Sequence, residues 1–304
     1  MNREEIDIAD LDVIFLTYDE PKKDEFWIKI QNIVPWAKRV DGVKGSDAAH
    51  KAAALASETD RFILIDGDNL PDPEFFNETL IIDNLNKDCV FRWKARNVIN
   101  GLQYGNGGIS CWTKDFVMNM RTHENSDGTD ENDVEFCFYP NYWAMHDCFS
   151  TTYPNGSKFQ AWRAGFREGV KMSLDRGTKP RLSEFQSRVA NRNYDNLCVW
   201  QSVGMDVENG IYAILGARQG TYMTMLTTWD YKQVQDFDKL KEMYDEFNIE
   251  SLSTDEVKES VISYGTMLKT QLGLNITLLN PEQSKFFKHH YKSNYRNIGI
   301  MNRE

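Results

Sequence analysis

Two carboxylates stand where a run of apolar residues ends. The stretch Arg61–Asp66 reads Arg-Phe-Ile-Leu-Ile-Asp, and Gly67 and Asp68 follow it. Four consecutive apolar residues are typical of a strand that is buried on both faces. If extended geometry continues to Asp68, both carboxylates face one crevice, because residues two apart in a strand point to the same side. Such a pair of hard oxygen ligands suits Mg²⁺ or Mn²⁺ together with substrate phosphates.

The same residues have a second interpretation. Asp-Gly-Asp-Asn followed by Pro71 and Pro73 is also good turn chemistry, with no function beyond the turn. A calcium-binding EF-hand loop is excluded, since its spacing requires other residues than Leu70 and Pro71. The position of the pair after an apolar strand favours a functional site.

The elements before this pair alternate between strand and helix patterns. Strands are predicted at 11–20, 37–43 and 61–66, with helices at 22–34 and 46–58, the second capped by Ser46 or Asp47. This alternation predicts right-handed βαβ units and a parallel sheet. Ligands of such sheets bind beyond the carboxyl ends of the strands. Thr17, Tyr18 and Asp19 are therefore expected beside Asp66.

The pattern changes beyond residue 85. Strands are predicted at 88–99, 107–117 and 136–149, and helical periodicity starts at Phe159. Residues 205–226 fit neither pattern. Helices are predicted at 230–247 and 253–272, the second with a Ser253–Glu256 capping box and Gly273 as its end. We expect an α/β part over 1–155 and a mainly helical part over 156–304.

Composition bounds the class of protein. The 304 residues include 41% hydrophobic ones, and the formal net charge is −11. That charge disfavours non-specific nucleic-acid binding by the whole surface. No stretch approaches the roughly 18 apolar residues of a membrane span, and the acidic start lacks the apolar core of a signal peptide. Five scattered cysteines indicate reduced thiols, so we expect a cytoplasmic protein without zinc or a membrane partner.

Residues 11–150 resemble the GT-A glycosyltransferases, which transfer a sugar from a nucleotide donor through a divalent metal held by an Asp-x-Asp motif after a buried strand. Asp66 and Asp68 match that motif. The resemblance implies a GT-A-like, mostly parallel sheet flanked by helices. It also implies Mn²⁺ or Mg²⁺ as metal and a nucleotide-diphosphate sugar, in particular a UDP-sugar, as donor. The expected donor-binding residues are Thr17, Tyr18, Asp19, Lys51, Asp66, Gly107, Gly108, Arg163 and Arg167.

The resemblance also directs attention to a later acidic motif, which supplies the catalytic base in inverting members. Asp130, Glu131 and Asp133 are the candidates here, although Asn132 separates residues that are adjacent in the family. A solvated acidic loop is the alternative interpretation. A third metal ligand is often a histidine, and His146 is the first candidate, with His289 and His290 as the others.

Basic residues are concentrated in two places. Arg163, Arg167 and Lys171 are four apart and form one ridge of a helix, which is commonly just a solvated face. The tail 284–303 carries five basic residues and no acid, interleaved with aromatic residues. It is expected to close over a donor diphosphate, to touch a nucleic-acid backbone while its rings stack on bases, or to dock as a terminal helix.

The leading prediction is a metal-dependent glycosyltransferase that acts on a hydroxyl acceptor. Residues 162–172 and the tail look similar to bacteriophage glycosyltransferases that modify hydroxymethylated pyrimidines in DNA. A soluble enzyme acting on a glycan or protein hydroxyl is the direct alternative. The loop after the first strand contains no glycine, which disfavours a nucleotidyltransferase. A non-catalytic binding module is the remaining alternative.

Overall fold

The computed structural model describes residues 3–104, 108–122, 125, 141–189 and 191–301, with the backbone alone at 191, 192 and 292–301. The chain forms two compact units. The first comprises Met1–Asn97 and Gln103–Tyr153, and the second comprises Val98–Leu102 and Pro154–Glu304.

The first unit is built on strands. They are β1 (Glu4–Asp7), β2 (Asp12–Thr17), β3 (Lys38–Asp41), β4 (Arg61–Asp66), β5 (Asn69–Pro71), β6 (Thr79–Ile82), β7 (Val90–Asn97), β8 (Gln103–Tyr104), β9 (Ile109–Thr113) and β10 (Tyr142–Thr152). Its helices are α1 (Lys23–Ile33), α2 (Ser46–Ala56) and α3 (Lys114–Asn119). Strands β1 and β6 form a separate two-stranded sheet.

The main sheet has eight strands in the order β3-β2-β4-β9-β7-β10-β5, with β8 paired to β7. Strands β2, β3, β4, β7 and β10 all run in one direction, and β9 is inserted antiparallel between β4 and β7. The carboxyl ends of these five strands therefore meet at one edge of the sheet. The predicted α/β class with a mostly parallel sheet is confirmed.

Helix α1 covers one face of the sheet, and helices α2 and α3 cover the other. Alternate residues of β4 enter the two cores: Ile65 packs in the cluster that contains Phe26 of α1, and Leu64 in the cluster that contains Ala53 of α2. Both faces of β4 are buried, which explains its uninterrupted apolar run.

Two local predictions for this unit were wrong. The strand predicted over 107–117 ends at Thr113, whose side chain accepts a hydrogen bond from the Phe116 N–H and so starts α3. Helix α2 begins at Ser46, but its cap is Gly45, with φ +94°, rather than Ser46 or Asp47. The Asp47 carboxylate is buried and faces other partners described below.

The second unit is helical, as predicted. Its helices are α4 (Lys158–Met172), α5 (Phe185–Arg188), α6 (Asn191–Trp200), α7 (Gly210–Leu226), α8 (Phe237–Glu246), α9 (Thr254–Leu272) and α10 (Pro281–Met301). The predicted capping box of α9 is present, and Gly273 ends the helix in the left-handed conformation. The helix predicted over 230–247 is interrupted, because Asp236 caps α8 after a short 3₁₀ turn, Tyr231–Gln235.

Helix α7 occupies the stretch that the sequence pattern left unassigned. Most of its residues are buried, so it lacks the one-sided apolar stripe of a surface helix. It packs closely against α4. A Cβ added at Gly216 would lie 2.1 Å from the Trp162 carbonyl oxygen, and one added at Gly165 would lie 1.9 Å from that of Ala213. Glycine is required here because the two backbones are in contact.

Candidate functional site

The candidate site lies at the carboxyl ends of β2 and β4. These strands are parallel neighbours, and Leu16 pairs in register with Asp66. The loops that follow them are therefore adjacent, as predicted for Thr17–Asp19 and the Asp66 turn. The Asp66 side chain is 44% exposed, so its carboxylate is open to solvent at the edge where ligands of such sheets bind.

Extended geometry does not continue to Asp68, and this part of the prediction was wrong. Strand β4 ends at Asp66, whose N–H donates to the Gly108 carbonyl oxygen at 2.8 Å, and Gly67 and Asp68 form a turn. The Asp68 carbonyl oxygen accepts the Tyr153 N–H at 2.7 Å as the chain enters β5, which runs antiparallel to β10. Strand alternation therefore does not place the two carboxylates on one side.

Glu20 supplies a carboxylate that the sequence reasoning missed. The Tyr18 N–H donates to Glu20 Oε2 at 2.8 Å, and that oxygen would be 2.5 Å from a Cβ at Gly67. Burial raises the pKa of Glu20, and the negative charges of Asp19 and Asp66 raise it further. The only signal in the sequence was its position in the loop after β2. Glu20 and Asp66 concentrate negative charge at this edge.

Arg92 and His50 also lie near Asp66. Arg92 Nη2 is 3.9 Å from Asp66 Oδ2, and the arginine side chain is only 11% exposed. His50 is on α2, where its Nδ1 lies 2.7 Å from the Ser46 carbonyl oxygen. Burial lowers the pKa of His50. The charge of Asp66 raises this pKa and the charge of Arg92 lowers it, both by less than burial does. Arg92, Lys94 and Arg96 alternate with other residues along β7, so the sequence carried no signal that distinguished Arg92 from the other two.

Thr17, a predicted donor-binding residue, belongs to a polar network of short hydrogen bonds. Its buried Oγ1 donates to Asp41 Oδ1 at 2.6 Å and accepts from Arg39 Nε at 3.0 Å. Lys23 Nζ lies 2.7 Å from the same Asp41 oxygen, and the pKa of Asp41 is lowered first by its hydrogen bond with Lys23. The network holds the ends of β2 and β3 together beneath the loop that carries Tyr18, which is 44% exposed.

Gly108 is the predicted glycine that the structure brings to Asp66. Its φ of +67° is in the left-handed region, and a Cβ there would be 2.2 Å from Asn69 Nδ2. Asn69 is fully buried, so glycine is required by both conformation and space. Gly107 lies outside the described residues, and so do the proposed catalytic carboxylates Asp130, Glu131 and Asp133.

In the described part of the chain, neither Lys51 nor His146 forms an ion pair or hydrogen bond with Asp66. Lys51 Nζ pairs with Asp47 Oδ2 at 2.7 Å, one turn earlier in α2, and Asp47 also accepts the Thr122 N–H. His146 is exposed in β10, between Ala144 and Cys148, which pair with Arg92 and Lys94 on either side of an irregularity in the strand. In the strand order, β9 and β7 lie between β4 and β10. The structure therefore provides no argument for His146 as a metal ligand.

The remaining predicted groups lie in the second unit. The guanidinium carbons of Arg163 and Arg167 are each 4.7 Å from the centre of the Phe237 ring, so this ridge packs on an aromatic side chain. In α10, Lys288 Nζ lies 2.6 Å from Asp206 Oδ2 and donates to the Val98 carbonyl oxygen. Where its side chains are described, the tail is thus a docked terminal helix. The alternative metal ligands His289 and His290 are exposed on this helix.

The donor set suits a divalent cation that is shared with phosphate. Within the described ranges, no group of three or more histidine, cysteine or acidic side chains is arranged to hold a metal by itself. Mg²⁺, however, is commonly bound through one or two carboxylates together with water and substrate phosphates. Asp66 is half-exposed and Glu20 adjoins it; the pKa of Glu20 is raised first by burial and further by the charges of Asp19 and Asp66, which a cation would neutralise. The residues present therefore fit the cation.

Comparisons with known proteins add little to this geometry. No family model and no curated protein matches the chain. Among solved structures, an inositol-1-phosphate CTP transferase from T. maritima is 14% identical, with a TM-score of 0.29 over 47% of this chain and 70% of that one. HddC from Yersinia pseudotuberculosis is 16% identical, with a TM-score of 0.27 over 50% and 76%. Likenesses at this level assign no activity.

No helix in the described part of the chain is both long and apolar enough to cross a bilayer.

Proposed function

We propose that the chain is a metal-dependent glycosyltransferase that moves a sugar from a nucleotide-diphosphate donor to a hydroxyl acceptor. The observation that supports this most is the half-exposed Asp66 carboxylate at the carboxyl end of β4, with Glu20 beside it. Carboxylates gathered at this edge of a largely parallel sheet suit a cation bound to phosphate.

Each part of the edge has a role in this proposal. Asp66 would hold Mn²⁺ or Mg²⁺, which when bound neutralises negative charge on the departing diphosphate. Asp68 would reach the same cation from the turn after β4 rather than by strand alternation. Glu20 would add to the field that attracts the cation. The exposed loop at Tyr18 and Asp19 would contact the nucleoside, and Gly108 would keep the backbone beside Asp66 compact. If the reaction inverts configuration, one of the carboxylates at 130, 131 and 133 would take the acceptor proton.

The test is release of nucleotide from a panel of nucleotide sugars in the presence of Mn²⁺ or Mg²⁺. Asp66→Asn is expected to lower the rate by about 100-fold or more, because it removes a charged metal ligand. Asp60→Asn is the matched control, since it changes an exposed acid at the other end of the same strand. Equal rates in wild type and Asp66→Asn, or no release from any donor, would refute the proposal.

Acceptor class requires a separate measurement. We propose a hydroxymethylated pyrimidine in phage DNA as the acceptor, with a glycan or protein hydroxyl as the alternative. Sugar transfer to hydroxymethylated DNA, with retention on DNA that weakens as salt rises, would support the first. Transfer only to glycan or protein hydroxyls would support the second. Release of pyrophosphate from nucleoside triphosphates instead would identify a nucleotidyltransferase.

A further inference from the structure

Arg92 shares a face of the sheet with Asp66. Arg92 and Leu64 both pair with Ser110 of the intervening strand β9, so the two lie at one level of the sheet. Strand alternation turns Arg92 to the same face as Val90, and Asp66 to the same face as Leu64. Val90 and Leu64 belong to one core cluster, the one under α2. The Arg92 guanidinium then extends toward the carboxyl edge and reaches Asp66.

The Arg92 guanidinium makes a long ion pair with Asp66 and few hydrogen bonds to the described residues. Its distance to Asp66, 3.9 Å, exceeds the 2.7–2.9 Å of a charge-assisted hydrogen bond. Its Nε is buried and has no hydrogen-bond partner among the described residues. Arg61 provides a contrast on β4, because its two terminal nitrogens donate to the Cys89 and Lys87 carbonyl oxygens at 2.9 and 2.6 Å. Arg61 is a structural residue, whereas Arg92 has an unused donor at Nε in the part of the chain that the structure describes.

Position and chemistry together indicate the ligand. A planar guanidinium matches the oxygens of a phosphate, which it can bind through two parallel hydrogen bonds. The Arg92 side chain is 11% exposed, so water screens its charge only weakly. Reorienting it toward a ligand breaks no hydrogen bond at Nε. Asp66 is the more exposed partner and remains available to a cation on the same ligand.

We propose that Arg92 is a phosphate-binding residue of this site and contacts the diphosphate of the donor beside the cation at Asp66. This rests on the proposed function for the identity of the donor. The Asp66–Arg92 contact is then the arrangement of the site without ligand, in which each charge partly neutralises the other. A diphosphate with its cation replaces both halves of that contact at once.

The experiment is calorimetric titration with inorganic pyrophosphate and Mg²⁺, repeated with UDP and with uridine. Arg92→Gln is expected to weaken pyrophosphate and UDP binding by about 10-fold or more, because one charged hydrogen-bonding group is lost. Arg92→Lys, which keeps the charge but not the fork, is expected to recover part of that affinity. Uridine binding should be unchanged by either variant.

Lys114→Gln is the matched control, because Lys114 follows the end of β9 that pairs with Arg61, at the opposite edge of the sheet. It removes one positive charge from the same unit and should leave pyrophosphate affinity unchanged. The inference is overturned if wild type does not bind pyrophosphate. It is also overturned if Arg92→Gln and Arg92→Lys bind pyrophosphate as wild type does, or if Lys114→Gln loses as much affinity as Arg92→Gln.

Failure of this inference is distinguishable from failure of the proposed function. A chain that binds pyrophosphate through Arg92 but turns over no nucleotide sugar refutes the glycosyltransferase and leaves the phosphate site in place. A chain that turns over nucleotide sugar equally well with arginine or glutamine at position 92 refutes the phosphate site alone.

Discussion

Replacing Gly108 with alanine separates two physical reasons for a glycine beside Asp66. The first is conformational: Gly108 has φ +67°, where an L-residue costs about 1–2 kcal/mol. Alanine also restricts the unfolded chain, which offsets about 0.4–1 kcal/mol of that cost. The conformational reason alone therefore predicts a loss of about 1 kcal/mol in the free energy of unfolding.

The second reason is steric. The new Cβ would be 2.2 Å from Asn69 Nδ2 and 2.9 Å from Asn69 Cγ, and Asn69 is fully buried. Forcing extra atoms into such packing typically costs about 1–3 kcal/mol. Gly42 is a matched control, because it has φ +75° with nothing within 4 Å of its Cβ position. Gly42→Ala carries the conformational cost without the clash.

The assay is urea denaturation of wild type, Gly42→Ala and Gly108→Ala, followed by circular dichroism. Gly108→Ala should be less stable than Gly42→Ala by about 1–3 kcal/mol. Gly108→Ala should also lower nucleotide release, since the Gly108 carbonyl oxygen accepts the Asp66 N–H. Equal stabilities for the two variants would show that the contact with Asn69 does not constrain position 108, and the steric reasoning would fail.

Two further predictions concern packing and charge. Gly216→Ala should lower the free energy of unfolding by at least about 1 kcal/mol, because the new Cβ would meet the Trp162 carbonyl oxygen, although alanine has the better helix propensity. Ser263→Ala, at an exposed position of another helix, is the control and should not lower it. Glu20→Gln should stabilise the protein in urea at pH 7 but not at pH 4. Burial and neighbouring carboxylates raise the pKa of Glu20, so its contribution is most favourable at low pH and falls as pH rises; a pH-independent effect would contradict this.

The fold was predictable where local patterns and tertiary packing agree. The apolar run of β4 is buried on both faces, and the strands and helices before it lie close to their predicted ranges. Helix α7 was not predictable, because a helix buried on most of its surface has no periodic stripe and its glycines resemble loop residues. Strand β9 was predicted too long, since the cap at Thr113 depends on one side-chain hydrogen bond.

The candidate site was predictable only in part. Asp66 and the loop after β2 were found because strand order brings their ends together. Arg92 and Glu20 were missed because their proximity to Asp66 depends on tertiary geometry: Arg92 reaches across β9, and Glu20 folds back over Gly67. The turn at Gly67 and Asp68 is set by pairing with β10 and by Tyr153, which are far away in the sequence.

The number of hydrogen bonds made by the guanidinium distinguishes Arg39 from Arg92 at this sheet edge. Arg39 donates from Nε to Thr17 at 3.0 Å and from Nη1 to Asp24 at 2.7 Å, so two of its three nitrogens are used by the protein, while its buried Nη2 has no hydrogen-bond partner among the described residues. At Asp66, the arginine partner is 3.9 Å away and has a buried donor without a partner in the described residues. Buried donors are normally satisfied, since leaving one unpaired costs about 1–3 kcal/mol. The Asp66 carboxylate and the Arg92 guanidinium are therefore both available to a ligand. A phosphate with its cation offers each of them a partner of opposite charge.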